Sequence, residues 1–211
     1  MEAIYRAGLL AAVKANPDEW EYRLRQCGRH ILAAVTFRET SRSTCEKTES
    51  TLLPVIGYYY SIFHISVAAL YFEHKTATDE LKRLKHGPLR KLVQERLVNP
   101  HLLSKGLLKL HSVLLNLRED ANYEFGGKTR VDRNDYWDRV PKLYDETAPA
   151  FEECIELIQE FSVIVDEGLE RERALGTWID DGIGNDTSSN YLSKADAELV
   201  SKYMLDRHFC A

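Results

Sequence analysis

Arg118 and Asn122 are four residues apart in the run Asn116 to Phe125, NLREDANYEF, so on a helix they share one face. A guanidinium offers a planar fork of donors that matches a phosphate in a way lysine cannot. The same arginine has acids within reach in Glu119, Asp120 and the acid-rich segment from 143 onward, so an ion pair is the structural alternative. His64 lies in an apolar run with Tyr60 and Tyr71 on its face, where it serves either as a hydrogen-bonded packing residue or as a proton carrier. His86, His101 and His111 do not show a metal-ligand spacing, and Gly126-Gly127-Lys128 is too short for a phosphate loop. Neither HExxH nor a Ser/His/Asp arrangement occurs, so the sequence calls for no metal and no cofactor. Lys82, Arg83, Lys85, Arg90 and Lys91 add a basic cluster before the arginine.

These side chains need a scaffold, and one stretch dominates it. From Ser50 to Phe72 the chain carries no formal charge, and its apolar residues recur at helical spacing on two stripes. Such a helix is either the centre of a bundle or a membrane span. Pro54, Gly57, His64, four tyrosines and the absence of a basic cluster at one end favour the bundle centre and no membrane.

Around it the pattern predicts further helices. Residues 2–15 form a short amphipathic helix. The next begins at Pro17 behind the cap Asn16 and runs to about Thr40, burying Trp20, Leu24, Cys27, Ile31 and Val35. The polar run SRSTCEKTES is read as a turn or a weak helical entry. A charged connector follows Phe72 and closes at Gly87-Pro88, and Leu89 to Val98 makes a basic helix. Asn99-Pro100 is read as the start of a helix reaching Tyr123, with a seam of Leu103, Leu107, Leu110, Leu114 and Leu117, ended by Phe125-Gly126-Gly127. Residues 128–142 are a linker, and a long helix spans about Leu143 to Arg173. TWIDDGIGNDTSSN is a loop, and Ser193 to Arg207 a last short helix. The expected fold is all-α, an up-down bundle of four to five main helices with short extra helices at both ends. Residues 1–173 form the bundle, and 174–211 an acidic appendage packed on it or on a partner.

A chain of 211 residues supports one well-buried domain. Four scattered cysteines without a CxxC pair, and no secretory signal, suit a cytoplasmic protein with reduced thiols. The net charge of −5 conceals an asymmetry: residues 75–118 carry ten basic and three acidic side chains, residues 119–211 ten basic and twenty-two acidic. The basic segment either attracts a polyanion or is neutralised by the acidic part, and residues 174–211 could cover and mask it.

Two segments carry a family resemblance. GYYYSIFHISVAALYF resembles the YYAMFHAA-type central helix of prokaryotic HEPN (higher eukaryotes and prokaryotes nucleotide-binding) proteins. Lys85-His86-Gly87 through Leu117-Arg118-Glu119-Asp120-Ala121-Asn122-Tyr123 is similar to that family's following helices and its L-R-x-x-A-D-Y end. The resemblance covers roughly residues 20–173. It implies a helical bundle that dimerises, of a kind found in toxin–antitoxin and antiviral systems, sometimes beside a small nucleotidyltransferase or an antitoxin protein. It also implies RNA or nucleotide binding, and in active members metal-independent RNA cleavage by an arginine followed four to six residues later by histidine. Arg118 matches that arginine, but Tyr123 stands where the histidine belongs, and an unperturbed phenol near pKa 10 is a poor base at neutral pH. The motif is therefore degenerate. The expected role is binding, with divergent cleavage by Arg118 with Tyr123 or His64 as the alternative.

Overall fold

The structure, a computed structural model, describes residues 3–48, 51–82, 84–123, 138–184 and 193–206. Its central element is α3 (Leu52–Phe72), which packs against α2 (Pro17–Thr48), α6 (Gly106–Tyr123) and α7 (Leu143–Leu169). Around them stand α1 (Ala3–Ala15), α4 (Thr78–Leu81), α5 (His86–Val93), α8 (Ala174–Gly184) and α9 (Lys194–Asp206). Among the described residues every regular element is helical, so the all-α bundle expected from the hydrophobic periodicity is what the chain forms. By length and composition α3 would also cross a membrane. In the fold most of it is buried, from Val55, Tyr59 and Ile62 to Leu70 and Phe72, while Leu52, Ile56, Tyr60 and His64 are half-buried and Leu53 is exposed.

Polar contacts fix the register of α3. The buried Arg23 of α2 donates to the carbonyls of Tyr71 (3.2 Å), Glu73 (3.2 Å) and Thr76 (2.6 Å). A cation thus sits at the carbonyl end of α3, where the helix dipole favours it. Glu19, four residues earlier, holds the other edge of that guanidinium at 2.9 Å. Near the other end, α2 and α3 approach so closely at Gly57 that a Cβ there would stand 1.8 Å from the Ser41 hydroxyl. Arg38, 1% exposed, ties α2 to α7 through Thr147 (2.6 Å) and the carbonyl of Tyr144 (3.1 Å).

Several expected boundaries move. The polar run after Thr40 is no turn: α2 continues to Thr48, because Ser41 is buried under Gly57 while Arg42 and Glu46 pair across one turn at 2.9 Å. Polarity there marks a solvated helix face rather than a break. Gly87-Pro88 does not close the connector but lies in the first turn of α5, where a proline's missing N–H is not needed. After α5 the backbone widens into a π turn (Gln94–Val98), and Asn99-Pro100 ends that turn instead of opening a helix. His101 takes a left-handed φ of 62°, and the amides of Leu102 and Leu103 both donate to the carbonyl of Leu97 (2.9 and 3.0 Å), which seats Leu103 in the core. α6 starts at Gly106, whose amide donates to the Ser104 hydroxyl at 3.3 Å.

α7 ends at Leu169, with Glu170 in the left-handed region. The expected loop from Thr177 begins as helix: α8 covers Ala174–Gly184, capped by Asp166, whose carboxylate accepts the amides of Arg173 (3.0 Å) and Ala174 (3.1 Å). Leu175 and Ile179 of α8 are buried, and α8 and α9 both pack on α2. The Phe125-Gly126-Gly127 stop, Gly126-Gly127-Lys128, and residues 128–137 and 185–190 lie outside the described residues.

Candidate functional site

Tyr59, Tyr60, Phe63 and His64 project from successive turns of α3, two pairs at i and i+4, so one helix face carries four rings. Phe37 of α2 stacks on both Tyr60 (5.4 Å between centroids) and His64 (5.7 Å, planes within 4°). His86, the first residue of α5, closes the other side against Tyr59 (5.2 Å), Phe63 (5.2 Å) and Tyr60 (6.1 Å). Its Nδ1 is hydrogen-bonded to the Tyr59 hydroxyl.

Arg118 enters this cluster from α6. Its guanidinium lies 5.1 Å from the centre of Tyr59 and 5.5 Å from that of Tyr60, within cation–π range. Nη2 donates to the Tyr60 hydroxyl over a long 3.4 Å, and the buried Nε has no acceptor. Among the described residues no carboxylate forms an ion pair with Arg118, so the acidic partner weighed from the sequence is not what holds it.

The histidines in and beside the cluster differ. Burial, and then the Arg118 charge, lower the His86 pKa against the opposing pull of Glu119. His64 is committed to packing: its Nδ1 lies 2.8 Å from Nδ1 of His30, and burial pushes its pKa down to about 4. His30, stacked on Tyr71 at 5.6 Å, is lowered by burial and then by His64. Two nitrogens at that separation need one proton between them, so the pair is neutral near pH 7. Tyr59 is pushed upward by burial and stays protonated.

Arg118 and His64, named from the sequence, thus both border Tyr60, on whose ring the two environments meet. Asn122 is exposed one turn beyond Arg118. The side chain of Tyr123 and the whole of Arg83 lie outside the described residues. Lys82 pairs with Asp79 at 2.7 Å, and Lys91 with Glu95 at 3.8 Å. Lys85, preceding α5, and Arg90 are exposed. Sequence alone does not mark His86, Tyr59, Tyr60 or His30 as site residues. The i and i+4 pairing of tyrosine with phenylalanine and histidine on α3 was the available signal. The contact with His86 crosses from α3 to α5 and leaves no local trace.

Another groove, of about 600 Å³, opens elsewhere, beside the carbonyl end of α3. Its buried cation, Arg23, is saturated by backbone carbonyls, so it offers little to a ligand. Among the described residues no three His, Cys, Asp or Glu side chains gather as a metal would require. Comparison with protein-family models, curated proteins and solved structures returns no match for this chain.

Proposed function

We propose that the protein binds RNA or nucleotide phosphates at Arg118, as a HEPN-like cytoplasmic homodimer from a toxin–antitoxin or antiviral setting, with an antitoxin or nucleotidyltransferase as its protein partner. One observation carries the binding reading: a guanidinium lodged on two tyrosine faces, with a buried donor unanswered and, among the described residues, no carboxylate in an ion pair with it. Such a group gains most from an anion that accepts its donors. Lys85 and Arg90 extend the positive surface, whereas Lys82 and Lys91 are partly offset by their own acids.

A second reading, metal-independent RNA cleavage, draws support from His86 rather than from Tyr123 or His64. His86 lies beside Arg118 and is neutral at pH 7. With its Nδ1–H on the Tyr59 oxygen, Nε2 is left to take a proton from a ribose 2′-hydroxyl. That oxygen would then bond to the adjacent phosphorus, the 5′-oxygen would leave taking a proton from water, and Arg118 would hold the phosphoryl oxygens.

Fluorescence anisotropy with a labelled mixed-sequence RNA, in chelator and at two salt concentrations, tests both. Affinity should fall steeply with salt and drop about tenfold or more in Arg118→Ala, with Lys85→Ala and Arg90→Ala each costing less. Wild-type and Arg118→Ala proteins binding equally would end the phosphate reading. Cleavage lost in His86→Ala would establish the second reading, and intact RNA with both proteins would remove it.

A further inference from the structure

Beside the Arg118 cluster a second groove of about 260 Å³ opens on the far side of Phe63. Tyr22 and Gln26 of α2, His30, Phe63, Tyr71 and Lys82 line it, together with aliphatic side chains, and among the described residues no carboxylate does. It is smaller than the roughly 300–1,000 Å³ clefts that take drug-sized ligands, so it suits one ring system.

Its polar atoms are few and fixed. Nδ1 of His30 is committed to His64 at 2.8 Å, which leaves Nε2 as that ring's free polar atom. If His30 gives the shared proton, Nε2 accepts; if His64 gives it, His30 carries its hydrogen on Nε2 and donates. The Gln26 amide supplies a donor and an acceptor together. The Lys82 ammonium, 5.8 Å above the Tyr22 ring, provides positive charge at the groove. Phe63 belongs to both places, touching His86 at 5.2 Å on one side and lining the groove on the other.

We infer that this groove is a nucleobase subsite, receiving one base of a strand whose neighbouring phosphate lies on Arg118, with Gln26 and His30 reading the base edge. A neutral planar heterocycle with an anionic backbone fits aromatic walls, mixed donors and acceptors, and a cationic side chain. A cationic ligand would meet Lys82, whose charge Asp79 offsets at 2.7 Å from outside the groove lining. The inference rests on the phosphate reading above and adds base preference to it.

The test is anisotropy with labelled RNA octamers of A, C, G and U, using wild-type, Gln26→Leu, Gln26→Glu and Arg118→Ala proteins. Wild type should favour one base by about tenfold. Gln26→Leu should shrink that preference to within about threefold while the weakest octamer binds as before, and Gln26→Glu should shift it toward a base presenting a donor. Arg118→Ala should weaken all four alike. Gln26 is partly exposed, so both variants should keep the wild-type melting profile. A wild-type preference that survives both Gln26 variants, or no preference at all, overturns the inference and leaves the phosphate reading standing. If no octamer binds wild type, the phosphate reading falls. Free nucleosides titrated against the His30 and Gln26 side-chain NMR signals then judge the groove alone: shifts sustain it, silence overturns it.

Discussion

His111 shows what a single buried side chain costs and contributes here. It is 5% exposed, and its Nε2 meets the Ser66 hydroxyl at 2.9 Å, while that hydroxyl donates its only proton to the carbonyl of Ile62 at 2.7 Å. The imidazole must therefore donate through Nε2–H. Burial pushes its pKa down to about 4, against an ordinary value near 6.5. As pH falls below about 6.5 the unfolded chain takes up a proton that the folded one refuses, so stability is whole above that value and is lost toward pH 4. The slope is about 1.4 kcal/mol per pH unit for one such site. His30 and His64 act in the same direction. His111→Gln keeps a donor for Ser66 but does not titrate, so its melting temperature should fall less between pH 7 and pH 5 than that of wild type. Parallel curves for the two proteins would show that His111 charges freely in the folded state.

At the scale of elements, the long helices were legible from apolar spacing, whereas helix ends and the short α8, read as a loop, were not. α3 is visible because its uncharged run is long and doubly striped. Trp20, Leu24, Cys27, Ile31 and Val35 of α2 are all buried as their spacing demands. The misread ends share one cause: contacts from other elements decide them. Ser41 keeps α2 helical because α3 covers it, and α8 forms because α2 receives Leu175 and Ile179. The candidate site divides the same way. Arg118 and His64 stood out by type, whereas His86 joins them only once α5 folds across Tyr59. The α2–α3 approach itself is open to test. Gly57→Ala would gain some helix propensity, but its methyl would collide with Ser41, for a net cost of about 1–3 kcal/mol. Removing the hydroxyl as well, in Gly57→Ala with Ser41→Ala, should recover most of that loss in urea unfolding. The remaining neighbours, the Phe37 carbonyl and the residue 41 Cβ, stand at 3.1 and 3.2 Å, tight enough to keep the recovery partial. A double variant no more stable than the single one would mean that the backbones, not the hydroxyl, set the spacing.

Over the whole molecule, the charge asymmetry meets the packing and is changed by it. An acidic end lying over the basic segment would mask it, and deleting residues 174–211 should then strengthen polyanion binding. The fold argues for a different result. α8 and α9 lie on α2, where Leu175, Ile179, Val200, Tyr203 and Met204 are buried and Arg25 stacks over Trp178 at 5.2 Å. The deleted segment carries six acidic and three basic side chains, a modest change whose field is screened beyond about 8 Å at physiological salt. The buried side chains weigh far more: each apolar one contributes roughly 1.5–3 kcal/mol on burial. Truncation after Arg173 should therefore lower the melting temperature by ten degrees or more, or leave the protein insoluble, since a domain of this size loses about 2–4 °C per kcal/mol. Where soluble, the shortened protein should bind RNA at 150 mM salt within about threefold of wild type, because the segment removes a net of only three negative charges and salt screens them. A truncated protein that melts like wild type and binds RNA tenfold more tightly would restore the masking role and place the acidic end over the basic segment in solution.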